Sequence, residues 1–61
     1  MKTLARTVDD LVGTYRTFGV EGPVYQVLRK VNETTVRVVV VATGEELNYS
    51  AEQARNDPEA E

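Results

Sequence analysis

Carboxylates are the only abundant side chains that could perform acid–base chemistry in this 61-residue sequence, which contains no histidine. They occur as close pairs at Asp9-Asp10, Glu45-Glu46 and Glu59/Glu61. An acid–base pair needs a cleft that separates the pKa values of its two members, whereas adjacent residues on a helix or strand point in different directions. Histidine, the usual proton carrier at neutral pH, is absent. We therefore predict that the protein is not an enzyme.

Residue patterns that hold metals, cofactors or phosphates are also missing. The chain has neither cysteine nor histidine, which are the commonest zinc ligands. Gly19 and Gly22 precede a proline instead of a helix N-terminus, so they do not form a phosphate-binding loop. The sequence predicts no metal, no cofactor and no small-molecule ligand.

The distribution of charge allows two kinds of macromolecular partner. The net charge is −3, but residues 16–44 contain four basic and two acidic residues, and residues 45–61 contain one basic and six acidic ones. Bases can stack on aromatic side chains beside cations, so one alternative is a nucleic-acid-binding accessory domain that uses Arg16, Lys30 and Arg37. The acidic segment would oppose phosphate contact, and we disfavour this alternative. That segment either keeps the protein in solution or docks a basic partner.

The stretch from residue 24 to residue 49 predicts the elements that position these side chains. β-Branched and aromatic residues favour strands at residues 24–31, 35–42 and 46–49, separated by the polar letters NET and TGE. Gly44 supplies the positive φ that a tight hairpin needs. The three strands form an antiparallel meander. Their alternation predicts one continuous apolar face, with Arg29 as the single misfit, and a second face that is half apolar.

That second face is the predicted partner-binding site. Four consecutive valines occupy positions 38–41, so the middle strand is apolar on both sides. A chain this short has little material to cover two faces of a sheet. An exposed apolar patch bordered by polar groups marks an interaction site, and the expected contact residues are Val24, Leu28, Val39 and Val41. The predicted partner is a second copy of the chain or another protein.

The segments on either side of the meander are expected to be helical. Apolar residues recur at helical spacing between residues 7 and 18, which favours an N-terminal helix that covers one face of the sheet. Gly13 and β-favouring neighbours oppose it, so residues 13–18 are either helix or strand. Ser50 and Gln53 form a capping-box pattern that predicts a short helix over residues 51–56.

The predicted fold class is therefore α+β: a three-stranded antiparallel meander with an N-terminal helix on one face and a short C-terminal helical turn. The alternative is an SH3-like small barrel in which residues 14–18 form a strand. Residues 1–61 make a single small domain, with residues 1–6 and 57–61 expected to be flexible. No apolar run suggests a signal peptide or a membrane span, so we expect a cytoplasmic protein with no membrane contact.

Three strings, GTYRTFG, GPVYQVL and TGEELNYS, together with the acidic ending, resemble the blocks of a family of short uncharacterised bacterial proteins. The resemblance covers residues 13–61, and the chain departs from the family's pattern at the loop positions Val20 and Ser50. It implies no activity. The size and acidity of the members are similar to those of antitoxins from toxin–antitoxin pairs, which implies a small protein that binds a protein partner.

Overall fold

The computed structural model describes residues 8–60, with side chains from residue 10 onward. It contains a four-stranded antiparallel sheet in which the strands lie side by side in chain order. A short 3-10 helix, Val8–Leu11, precedes the sheet, and one α-helix follows it. The elements are β1 (Tyr15–Thr17), β2 (Val24–Asn32), β3 (Thr35–Val40), β4 (Glu46–Ser50) and α1 (Ala51–Asn56).

The prediction of an N-terminal helix and a three-stranded sheet is wrong. Gly13 adopts a φ of 90°, which a continuing helix does not allow, and its N–H donates to the carbonyl oxygen of Val27 at 2.8 Å. The Val27 N–H in turn donates to the carbonyl oxygen of Thr14 at 3.0 Å, and the chain enters β1. Within residues 13–18 the chain therefore forms a strand, Tyr15–Thr17, and not a helix. The sheet is nevertheless not an SH3-like barrel, because β1 and β4 lie at opposite edges and do not pair.

The other elements confirm the sequence-based positions. β2, β3 and β4 lie within two residues of the predicted ends, and α1 spans the predicted residues. The Ser50 side chain accepts a hydrogen bond from the Gln53 N–H at 3.2 Å, as an N-cap does. Glu52 lies in the first turn, where the helix dipole favours an acid.

The core lies on one face of the sheet. Tyr25 and Val27 of β2 and Val36 and Val38 of β3 are fully buried on that face. α1 and the 3-10 helix cover it, and they contribute a few small or medium apolar side chains: Leu11, Ala51 and Ala54. Phe18, Leu47 and Tyr49 pack around this cluster and are half-buried.

Two irregularities in β2 explain why Arg29 looked misplaced. The register of β2 against β3 shifts between Val27 and Arg29, and again between Lys30 and Asn32. An extra residue in one strand reverses the side to which later residues point. Arg29 consequently pairs with Arg37, away from the core, while Lys30 pairs with the buried Val36. The predicted placement of Arg29 on the core face, and of Lys30 beside Arg37, is wrong for this reason.

The C-terminal residues close the outer edge of β1. The Thr17 N–H donates to the Pro58 carbonyl at 3.1 Å, and the Ala60 N–H donates to the Tyr15 carbonyl at 2.8 Å. Arg16 and Glu59 form an isolated antiparallel bridge between these hydrogen bonds. Residues 58–60 thus supply hydrogen bonds to the outer edge of β1 through an isolated bridge, without forming a further strand. The expectation of flexibility for residues 1–6 concerns a segment outside the described residues.

Candidate interaction site

The sheet face opposite the core is not covered by any element within residues 8–60. Val24, Val39 and Val41 lie on this face because they alternate along the chain with core-facing Tyr25, Val38 and Val40. Val24 is 36% exposed and Val41 is 53% exposed, while Val39 is half-buried between its neighbours. Leu28, the fourth predicted contact residue, lies at the first register shift and is half-buried.

This surface, called the open face below, carries an apolar patch where β2 begins and β3 ends. The register aligns one row across all four strands, from Tyr15 through Gln26 and Val39 to Glu46. Tyr15, which is 47% exposed, extends the valine patch toward β1. We define the open face by nine residues on this side, of which eight are in strands and Val41 directly follows β3: Tyr15, Val24, Gln26, Arg29, Arg37, Val39, Val41, Glu46 and Asn48.

The polar border of the open face carries an excess of positive charge. Arg29 and Arg37 are direct cross-strand partners, an arrangement in which like charges repel. The Arg37 guanidinium lies 3.4 Å from a Glu46 carboxylate oxygen and donates to the Asn48 side-chain oxygen at 3.0 Å. Glu46 compensates one of the two arginines. The other, Arg29, is exposed, and no acidic side chain within the described residues forms an ion pair with it.

The structure does not bring together the three cations predicted to bind nucleic acid. The Arg16 side chain is only 11% exposed and lies against the C-terminal residues, 3.7 Å from a Glu59 carboxylate oxygen. Lys30 pairs with Glu33 at 2.9 Å near the β2–β3 turn. Arg37 alone lies on the open face. Separate, ion-paired cations on different surfaces do not form a continuous track for phosphates.

A buried carboxylate, Asp57, organises the opposite side of the molecule. It is 7% exposed, and its Oδ2 accepts hydrogen bonds from the Tyr25 hydroxyl at 2.7 Å and the Tyr49 hydroxyl at 2.9 Å. Its Oδ1 accepts from the Gly19 N–H at 3.2 Å. The Arg16 guanidinium donates to the main-chain carbonyl of Asp57 at 3.0 Å. These contacts fasten the C-terminal residues to β1, β2, β4 and the loop after β1.

The aromatic rings around Asp57 hold the two hydroxyls in place. The centroids of Phe18 and Tyr25 lie 4.3 Å apart, and Tyr49 meets both rings edge-on at 5.1 and 5.4 Å. Burial, followed by the hydrogen bond to Asp57, raises the pKa of Tyr25 far above its usual value. The same causes in the same order raise the pKa of Tyr49. Both tyrosines therefore remain protonated donors, and the cluster is suited to holding the fold together.

Sequence reasoning missed the Asp57 cluster, although one signal pointed to it. Strand alternation puts Tyr25 on the same face as Val27, and Tyr49 on the same face as Leu47, which is the continuous apolar face. Buried tyrosine hydroxyls need a hydrogen-bond partner. An acidic residue ahead of Pro58 was a nearby candidate, but a run of acids at a chain end resembles a solvated tail. The cluster shares no residue with the predicted contact set of Val24, Leu28, Val39 and Val41.

Pockets and metal-ligand groups are absent from the described part of the chain. Residues 8–60 enclose no cavity, and they contain no group of acidic side chains arranged to hold a metal ion. None of the helices in this region is of the length and apolarity needed to cross a membrane.

Comparison with known proteins identifies a family without assigning a role. The model of a family of unknown function (DUF5397) matches residues 3–61, nearly the whole chain. No curated protein and no solved structure matches the chain.

Proposed function

The chain belongs to this family of unknown function, DUF5397, and we propose that it is a non-catalytic protein-interaction module that binds its partner through the open face. The observation that carries the proposal is the uncovered valine patch, Val24, Val39 and Val41, on the sheet face opposite the core. Burying Val24 and Val41 against a partner would remove apolar surface from water, at about 25 cal/mol for each Å².

The charges around the patch indicate the chemistry of that partner. Arg29 lies opposite Arg37 on the neighbouring strand, and among the described side chains Glu46 alone forms an ion pair with either arginine. A partner that brings an acidic side chain to Arg29 relieves this repulsion at the moment of contact. We therefore expect the partner to be a protein with an apolar contact surface and an acidic border.

A basic partner, as expected for an antitoxin-like protein that binds a basic toxin, has less support. Residues 45–61 contain six acidic residues. Three of them are engaged within the chain: Asp57 is buried among tyrosines, Glu46 pairs with Arg37, and Glu59 pairs with Arg16. The acidic segment therefore offers less charge to a partner than its composition suggests.

Site-specific photo-crosslinking in cells tests the proposal. A benzophenone side chain placed at Val41, on the open face, should capture one defined protein. The same group at Val31 is the matched control, because Val31 is also a valine, is 44% exposed, and lies near the far end of β2. The captured protein, once purified, should bind the wild type at least tenfold more tightly than it binds the Arg29→Glu variant, and added salt should reduce the difference.

Two results would overturn the proposal. Identical capture at positions 41 and 31 would mean that the open face has no special role. A mobility shift of nucleic acid that weakens with salt and disappears in the Arg37→Ala variant would favour the nucleic-acid alternative instead.

A further inference from the structure

The outer edge of β4 is the unpaired edge of the sheet within residues 8–60. β1 lies at the other edge, where residues 58–60 supply its hydrogen bonds. β4 pairs with β3 over five consecutive residue pairs without a register shift. An edge of this kind presents a row of main-chain donors and acceptors to any strand that approaches it.

The hydrogen-bond pattern of β4 shows which main-chain groups face outward. The Val40 N–H donates to the Glu45 carbonyl, and the Ala51 N–H donates to the Thr34 carbonyl. Bonded and non-bonded pairs alternate in an antiparallel ladder, so Leu47 and Tyr49 direct their main-chain groups toward β3. The main-chain groups of Glu46 and Asn48, and the Ser50 N–H, consequently face outward.

β4 has few of the features with which proteins protect edge strands. It contains no proline, lysine or bulge, and its one charged residue, Glu46, is ion-paired with Arg37 of the same sheet. Its core-facing side chains are also incompletely covered. Leu47 and Tyr49 are half-buried, whereas the equivalent residues of β3, Val36 and Val38, are fully buried. An additional strand beside β4 would cover the two half-buried side chains.

From these features we infer that β4 pairs with β4 of a second copy of the chain, antiparallel and about a two-fold axis at Asn48. The outward groups of the two strands are complementary under this symmetry. The two Asn48 residues exchange a pair of hydrogen bonds, and each Ser50 N–H donates to the Glu46 carbonyl of the other copy. No like charges are placed opposite each other, because Glu46 faces Ser50, and Leu47 of one copy meets Tyr49 of the other. The dimer so formed has one continuous eight-stranded sheet.

Asn48 allows a test that acts on the outward N–H alone. Asn48→Pro removes that N–H without removing a bond to β3, and proline is tolerated where the strand N–H faces outward. Asn48→Thr is the matched control, because it also loses the side-chain bond to Arg37 but keeps the N–H. Sedimentation of the full chain over a concentration series should show dimers for the wild type and Asn48→Thr. For Asn48→Pro the dimer dissociation constant should be at least tenfold higher.

A charge-swap experiment covers the case in which the proline variant does not fold. Asn48→Lys and Asn48→Glu each place like charges at the two-fold axis and should be monomeric alone. An equimolar mixture of the two should restore dimers. A wild type that stays monomeric up to millimolar concentration, or variants that dimerise as the wild type does, would refute the pairing.

A double variant distinguishes dimerisation through β4 from the proposed binding of a partner through the open face. The double variant Val39→Thr/Val41→Thr changes the open face but leaves the outer edge of β4 unchanged. It should dimerise normally while losing affinity for the captured partner. Loss of dimers in this variant, with the fold intact by circular dichroism, would show that copies associate through the open face and not through β4.

Discussion

Replacing Asp57 by alanine should remove most of the stability of the domain. The carboxylate accepts three hydrogen bonds. One of the donors is the hydroxyl of Tyr25, a residue with no surface exposed to solvent. A hydrogen bond to a charged group contributes about 1.5–3 kcal/mol, and a buried donor left without a partner costs about 1–3 kcal/mol. The Tyr49 hydroxyl is less deeply buried and can recover part of its loss from water. The expected decrease in the free energy of unfolding is therefore about 3–5 kcal/mol, against a total of about 3–9 kcal/mol for a chain of this size.

Urea denaturation followed by circular dichroism measures this change, and two comparisons isolate its cause. Asp57→Asn keeps the shape and one acceptor oxygen, so it should cost only about 1–2 kcal/mol. Glu59→Ala removes a neighbouring acid whose side chain is 68% exposed, and it should cost less than about 1 kcal/mol. In a background in which Tyr25 and Tyr49 are both phenylalanine, Asp57→Ala should lower the free energy of unfolding much less, because two of the three donors to the carboxylate are gone.

Equal losses of unfolding free energy in Asp57→Ala and Glu59→Ala would refute a special role for the Asp57 carboxylate. An unchanged loss for Asp57→Ala in the double phenylalanine background would refute the role of the tyrosine hydroxyls, since the carboxylate would then stabilise the fold through other contacts.

Two further predictions concern pH and packing. The pKa values of Tyr25 and Tyr49 in the folded protein lie above the ordinary value of 10.0, so the unfolded chain loses these protons first. Stability should therefore be constant through neutral pH and fall above about pH 10, by up to about 1.4 kcal/mol per pH unit for each tyrosine. Tyr25→Phe should reduce this slope, and an unchanged slope in alkaline urea titrations would assign it to other groups. Gly22→Ala should lower the free energy of unfolding by about 1–3 kcal/mol, because an added Cβ would overlap the Phe18 carbonyl oxygen. Gly44→Asn should lower it by less than about 1 kcal/mol, because the space around Gly44 is open and asparagine tolerates a positive φ. Equal unfolding midpoints for these two variants would contradict the close approach of Gly22 to the Phe18 carbonyl.

The strands that follow Gly22 and the last helix could be predicted because their signals are local. The alternation of valines defines β3, and Gly44 permits the tight turn before β4. Ser50 caps α1, and this cap can be recognised from the residues next to it in the sequence. β1 could not be predicted in the same way. Its partners are β2 and the C-terminal residues 58–60, some 40 positions away, and this pairing overrides the helical spacing of the N-terminal apolar residues.

The parts of the site that sequence reasoning missed depend on single-residue shifts. One extra residue in β2 moves Arg29 from the core face to the open face, opposite Arg37, and turns Lys30 the other way. No local composition signals such a bulge, although an arginine among core residues was a warning. This shift changes the expected charge of the partner, because it places two cations at the border of the valine patch.

The geometry of antiparallel pairing links the two proposed surfaces. A two-fold axis at Asn48 runs perpendicular to the sheet, so pairing through β4 would leave both open faces on the same side and both α1 helices on the other. The valine patches of the two copies would then lie in one plane, with Arg37 and Asn48 of each copy at the junction. A partner bound to one patch would be held close to the second patch, so the second contact would form at a high effective concentration. The overall affinity would rise without any new contact residue. Weakening β4 pairing with Asn48→Pro should therefore lower the affinity of such a partner, even though Val24, Val39 and Val41 remain in place.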